Sequence, residues 1–170
     1  DRDLHEAMAR LRDEGVAIGL STSGPQQAEA VHRALEVDVA GAPLFSWVES
    51  TWNVLEPSVG PALVVAASAG WTVVLKEVVA NGRLTPSGSE PAVESIAAAA
   101  GLPTDVLATA AALVQPWATY ALSGAVTVEQ LRSNVAAQDA RLAPGVVAAL
   151  ETLAEAPSVY WDRRRALPWA

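Results

Sequence analysis

Thr72-Val73-Val74-Leu75-Lys76 is the most β-branched run in the chain. It leads straight into Glu77-Val78-Val79-Ala80-Asn81-Gly82-Arg83-Leu84, which enters a long Gly/Pro/Ser loop from Asn81 to Gly88. Two heavy atoms on Cβ stiffen χ1 and suit a pleated backbone, so 72–76 is predicted as a strand. It shows no apolar–polar alternation, the pattern of a strand covered on both faces in a parallel sheet. Upstream, the periodicity predicts a helix over 58–69, preceded by a second strand, Ser46-Trp47-Val48-Glu49-Ser50, and a loop over 53–57. Further upstream the apolar run 16–20 ends in the turn chemistry of Ser21-Thr22-Ser23-Gly24-Pro25, after which Ala28, Val31 and Leu35 share a helix face. Leu4, Met8 and Leu11 mark an opening amphipathic helix over 3–14, stopped by Gly15.

Downstream of the loop come two Ala-rich helices over 90–100 and 104–115, and then a fourth strand over 120–123. Thr127-Val128-Glu129-Gln130 has capping-box spacing before a helix that aligns Val128, Leu131 and Val135. A helix over 144–154 follows, and 158–170 reads as a tail carrying Tyr160, Trp161, Trp169 and Arg163-Arg164-Arg165. Short strands alternating with helices give the α/β class with a parallel sheet. Each strand ends in small or polar residues: Ser21-Thr22, Glu49 to Asn53, Lys76-Glu77 and Ser123-Gly124. Those ends lie on one side in such folds, and ligands bind there. The pattern alone does not separate a doubly wound sheet from part of a barrel.

The 170 residues carry 11 Lys+Arg against 19 Asp+Glu, a formal charge of -8 that speaks against nucleic-acid and membrane-surface partners. The absence of cysteine excludes disulfides, thiolate metal sites and thiol nucleophiles, and with only His5 and His32 a histidine-rich metal site is excluded too. Both histidines read as solvated helix residues. The longest nearly apolar run, 62–75, is interrupted by Ser68, Gly70 and Thr72 and is too short to span a bilayer. The cysteine count fits a reducing compartment, and a cytoplasmic location is expected. The chain opens Asp1-Arg2-Asp3 without Met or an apolar leader, so it reads as the continuation of something longer.

The run 73–84 quoted above and the run Leu122-Ser123-Gly124-Ala125-Val126-Thr127-Val128-Glu129-Gln130-Leu131-Arg132-Ser133-Asn134 resemble the seventh and eighth strand–helix units of aldo-keto reductases. Ile18-Gly19-Leu20-Ser21-Thr22-Ser23 is similar to the fifth-strand signature of that family, and Val48-Glu49-Ser50-Thr51-Trp52-Asn53 to its sixth. Four matches in the family's order imply a parallel (β/α) barrel of TIM type, with this chain supplying about four of the eight units over 1–157 and a tail over 158–170. The family's Asp, Tyr, Lys and His proton-relay set lies in the first four units, so no catalytic residue is assigned to this chain. Tyr120 and Tyr160 are expected to pack.

What the resemblance implies is a seat for NADP or NAD. Ser21 matches a residue that hydrogen-bonds the nicotinamide carboxamide. Thr22 stands where an Asn is usual, and Glu49 where a Gln is usual. An ionised Glu only accepts hydrogen bonds, so Glu49 keeps one of the two bonds that a Gln makes. Trp52 matches the ring platform beneath the nicotinamide, with ordinary core packing as its alternative. Lys76, Gly82 and Arg83 fall where the pyrophosphate lies. Gly124, Thr127, Gln130 and Asn134 fall where the adenosine phosphate is gripped, although Thr127 and Gln130 are equally explained as a capping box. The nearest cation there is Arg132, which leaves NADPH and NADH both open. The expected function is reduction of a small-molecule carbonyl by hydride transfer. A half-barrel leaves two unpaired strand edges, so the other four strands are expected from the same polypeptide or from a second chain. The alternative is a noncatalytic nicotinamide-binding or assembly subunit. A doubly wound phosphate-binding domain is disfavoured because no Gly-x-Gly-x-x-Gly turn follows any strand.

Overall fold

The computed structural model describes residues 2–167. Helix α1 (Arg2–Asp13) leads into strand β1 (Gly19–Thr22), helix α2 (Gln27–Leu35) and a small hairpin of β2 (Asp38–Val39) and β3 (Ala42–Pro43). Strand β4 (Trp47–Thr51), helix α3 (Gly60–Ser68) and strand β5 (Thr72–Lys76) follow. After a 3-10 turn at Ala80–Gly82 come α4 (Pro91–Ala100), α5 (Thr104–Leu113), β6 (Tyr120–Ala121), α6 (Val128–Ala136), α7 (Pro144–Glu151) and α8 (Pro157–Arg165).

The main sheet has the order β1-β4-β5-β6, all parallel, so each strand lies beside the next main-sheet strand in the chain. A doubly wound sheet reverses its order at a switch point; this one does not. Its helices also share one face. Val48, Val73 and Leu75 pack with Val31 and Ala34 of α2 and with Leu63 and Ala66 of α3 in one apolar cluster. Burying each Val or Leu there contributes about 1.5–3 kcal/mol. The other face carries Ser21, Trp47, Glu49 and Tyr120, and among the described residues no helical layer lies over it. This is a segment of barrel wall seen from inside and out, and the sheet is not closed. Trp47 is 38% and Tyr120 54% exposed on that open face, their rings stacked at 6.2 Å. Gly19 makes room for Trp47, its register partner: a Cβ on Gly19 would meet the Trp47 Cβ at 2.7 Å.

Two expectations change, and one element appears that the sequence reading did not contain. The first strand is Gly19–Thr22, not 16–20, because Val16 N–H still bonds the Leu11 carbonyl and closes α1. The hairpin at 38–43 has no Asn-Gly signal: it turns on Ala40 and Gly41, both at positive φ, with Asp38 Oδ1 accepting from Gly41 N–H at 2.7 Å. The segment read as a tail forms α8, whose Tyr160 and Trp161 are buried with Leu55, Leu84 and Leu107 in a second apolar cluster. Two adjacent aromatics followed by three arginines show no helical period, so the helix is not visible in the pattern. Trp169 lies outside the described residues. Tyr160 Oη takes a hydrogen bond from Asn53 Nδ2 at 2.9 Å, which ties α8 to the residues just past β4. Asn53 Nδ2 also donates to the Glu77 carbonyl, and its Oδ1 accepts from Leu55 and Glu56 N–H.

Burial pushes the Tyr160 phenol up to about 12 from 10.0, beyond what the Asn53 bond offsets. The neutral phenol therefore favours the fold below pH 10, and that contribution is lost as pH rises through about 12. The unfolding free energy from urea titrations between pH 9 and 12 should fall by an amount on the order of 2 kcal/mol. In Tyr160→Phe that alkaline decline should be largely absent, although the variant is weaker at neutral pH for want of the Asn53 bond.

Candidate functional site

Strand alternation on β1, β4 and β5 brings Ser21, Glu49 and Lys76 together on the open face. Lys76 Nζ donates to Ser21 Oγ at 2.6 Å, Ser21 Oγ donates to Glu49 Oε1 at 3.0 Å, and Lys76 Nζ lies 3.2 Å from the same carboxylate oxygen. The ammonium neutralises Glu49, so the carboxylate at this position does not stand as an uncompensated charge. One Glu49 oxygen and the Ser21 hydroxyl are already committed to the cluster.

Lys76 also lines a cleft of about 960 Å³ at the C-terminal ends of β5 and β6, between the loop after β5 and helices α5 and α6. Gly82, Gly124, Gln130 and Asn134 line it as well. Thr127 is the N-cap of α6. Its Oγ1 accepts from Gln130 N–H at 3.2 Å while Gln130 Oε1 accepts from Thr127 N–H at 3.3 Å, a complete capping box. Gln130 Oε1 takes a further bond from Val126 N–H, and Asn134 Nδ2 donates to Ser123 Oγ at 2.7 Å. These side chains pin the 123–127 loop to α6 and so shape the cleft wall. Asp105 and Thr109 of α5 also line the cleft; they are 8% and 6% exposed, and among the described residues neither Asp105 Oδ1 nor Thr109 Oγ1 has a hydrogen-bond partner.

Three expected site residues are placed elsewhere. Thr22 is on the helix-covered face, where its hydroxyl pairs with Ser50 Oγ at 2.7 Å; adjacent strand residues point to opposite faces, so Ser21 and Thr22 cannot both meet one ligand. Trp52 is 6% exposed and packs edge-on against Trp117 in the core under α3, three residues beyond Glu49 and turned to the opposite side. It is core, not a platform on the open face. Arg83 is held between Glu90 and Glu155, with Nε 2.7 Å from Glu90 Oε1 and Nη2 2.6 Å from Glu155 Oε1, and it stacks over Tyr160. Burial opposes its charge, but the two carboxylates outweigh that and hold the guanidinium above its ordinary value. It is an internal brace rather than a free phosphate ligand.

Sequence reasoning missed the brace that holds the rim. Glu77 follows β5 at φ 56, a left-handed conformation costly for a side chain of this kind. Arg164 of α8 grips its carboxylate through two nitrogens, Nε lying 2.8 Å from Oε2, and Asn81 Nδ2 donates to Oε2 at 3.0 Å. Asn53 holds its carbonyl. No local signal marks a pair 87 residues apart. Among the described residues no group of His, Asp and Glu is arranged to hold a metal, and no single helix is long and apolar enough to cross a membrane.

In fold the chain is similar to the aldo-keto reductase AKR11C1 from Bacillus halodurans: the apo form superposes with a TM-score of 0.67 at 20% identity, over 89% of this chain and 56% of that one. The holo form gives 0.68 at 20% identity, over 89% and 55%. A thermostable aldo-keto reductase, Tm1743, solved with the inhibitor epalrestat, gives 0.65 at 22% identity, over 87% and 53%. The chain thus spans little more than half the length of the structures it matches, and its fold is that of part of an aldo-keto reductase barrel. No family model and no curated protein sequence matches it.

For Glu77, burial raises the carboxyl, but the hydrogen bonds from Arg164 and Asn81 and the charges of Arg164 and Lys76 carry it below its ordinary 4.5. The stability it contributes is present above about pH 4.5 and is lost as pH falls through the lower folded value. Glu77→Gln should cost about 1–3 kcal/mol at pH 7 by chemical denaturation. The difference from the unsubstituted chain should shrink steadily below pH 4.5; a difference independent of pH would contradict the brace.

Proposed function

We propose that this chain is the cofactor-binding half of a nicotinamide-dependent carbonyl reductase of the aldo-keto reductase kind, taking NADP or NAD and acting on a small-molecule carbonyl. The supporting observation is continuity. Ser21 and Glu49, expected at the carboxamide end, meet Lys76, and Lys76 also lines the cleft shared by Gly82, Gly124, Gln130 and Asn134. A cleft of this volume is in the range that seats small ligands and cofactors. Two buried atoms on its wall, Asp105 Oδ1 and Thr109 Oγ1, lack hydrogen-bond partners among the described residues, which favours a polar ligand.

When bound, the nicotinamide supplies hydride to a carbonyl carbon. The chain's own residues do the holding. Ser21 and Glu49 would meet the carboxamide, with Lys76 holding both in place through its contacts with Ser21 Oγ and Glu49 Oε1. Lys76 and the glycine backbones at 82 and 124 would carry the phosphates, where the absence of a Cβ lets a ligand approach the main chain. The capping box keeps the 123–127 loop in one conformation, so that wall need not be ordered on binding. The proton donor comes from outside this chain. We place the protein in the cytoplasm, with no nucleic-acid partner, on the acidic charge and absence of cysteine.

The open face and the free edges of β1 and β6 support a further part of the reading: four more strands, from the same polypeptide or another chain, close the barrel over Trp47 and Tyr120. A second reading, a noncatalytic nicotinamide-binding or assembly subunit, is favoured by the burial of Trp52 away from Ser21 and Glu49. The two separate on turnover: with the barrel completed, a reductase oxidises NADH or NADPH in the presence of aldehydes, and an assembly subunit does not.

Two outcomes are expected. Reduced nicotinamide emission should rise on titration of this chain, and Lys76→Met should weaken binding about tenfold, the loss of one charge-assisted bond; unchanged affinity would remove Lys76 from the site. In the isolated chain, amides of Gly19–Thr22 and Tyr120–Ala121 should exchange quickly with solvent deuterium. A monodisperse monomer in sedimentation with slow exchange in both edge strands would show that no complement is needed.

A further inference from the structure

The side chains of Asp105 and Thr109 sit one turn apart on α5, face the same cleft, and are more than nine-tenths buried. A carboxyl oxygen and a hydroxyl left without partners at that depth are costly to the fold, and a ligand that supplies donors removes the cost. The charge lining the cleft points the same way. Among the described residues that line it the one basic side chain is Lys76, already paired with Glu49, and of its carboxylates Glu77 is held by Arg164 while Asp105 and Glu129 have no ion-pair partner. Arg132 is exposed on α6 and does not line it.

Resting on the cofactor reading above, we infer that Asp105 and Thr109 form the seat for the hydroxyls of the adenosine ribose, so that the chain takes NADH in preference to NADPH. A carboxylate accepts hydrogen bonds from a vicinal diol, which is how acidic residues recognise an unphosphorylated ribose in other dinucleotide sites. The Thr109 hydroxyl donates or accepts as the diol requires. A 2′-phosphate brings only acceptors and negative charge, and no guanidinium in this cleft receives it.

The test titrates the chain in its completed barrel, as such and as Asp105→Asn and Thr109→Val, with NADH and with NADPH, following nicotinamide emission, with circular dichroism to confirm folding. NADH should bind at least tenfold tighter than NADPH. Asp105→Asn should narrow that ratio at least fivefold, weakening NADH and strengthening NADPH. Thr109→Val should weaken NADH severalfold. Because Asp105 Oδ1 holds no protein group, Asp105→Asn should not lower the melting temperature. NADPH bound as tightly as NADH, or a ratio unmoved in folded Asp105→Asn, overturns the inference and leaves the cofactor reading standing. Binding of neither nucleotide overturns both.

Discussion

A parallel strand exposes ladder groups along both edges and side chains on both faces, and in folded proteins of this class both faces are covered. Here the helices cover one face only. Val48, Val73 and Leu75 are sealed beneath α2 and α3, while the other face shows water a Ser-Lys-Glu cluster and a stacked Trp-Tyr pair. That asymmetry governs the rest. It sets which of two neighbouring residues faces a ligand, why polar side chains converge in mid-sheet, and why the order β1-β4-β5-β6 reads as a wall awaiting its other half.

The rim above this wall is held by residues far apart in the chain. Asn53 joins the end of β4 to Glu77 and Tyr160, and α8 returns Arg164 to Glu77 and Tyr160 to Asn53. A neighbouring ion-pair group, Arg83 with Glu90, Glu155 and, through Glu155, Arg163, secures the loop that follows β5. These contacts keep Glu77 in a left-handed conformation and fix one side of the cleft. Residues with the charge to bind phosphate are thereby spent on architecture, which leaves a cleft with little basic character.

The sequence told most where local chemistry decides the outcome. Thr72–Lys76 is the predicted strand to the residue because five β-branched and long side chains leave little else, and the capping box at Thr127 is legible as a spacing. Ser21 and Glu49 share the open face, as their places at the ends of neighbouring strands suggest, whereas their contact with Lys76, which the resemblance had put with the pyrophosphate, is visible only in the structure. The errors share a cause. Side-chain direction in a strand flips with each residue, so moving β1 by a few positions puts Thr22 under the helices, and the odd spacing from Glu49 turns Trp52 to the core. That spacing was readable in the sequence. The engagement of Arg83 by Glu155 was not, because 72 residues separate them, and the lack of partners at Asp105 exists only once α5 and α6 are packed.

The most direct examination of the central claim is an amide chemical-shift map of this chain with and without saturating NADH. The largest changes are expected at Lys76, Gly82 and Gly124, in the 126–134 segment and around Asp105, with little at Trp52 and Trp117. Changes centred on the Trp52–Trp117 pair, or none above the level of an unrelated nucleotide, would contradict it.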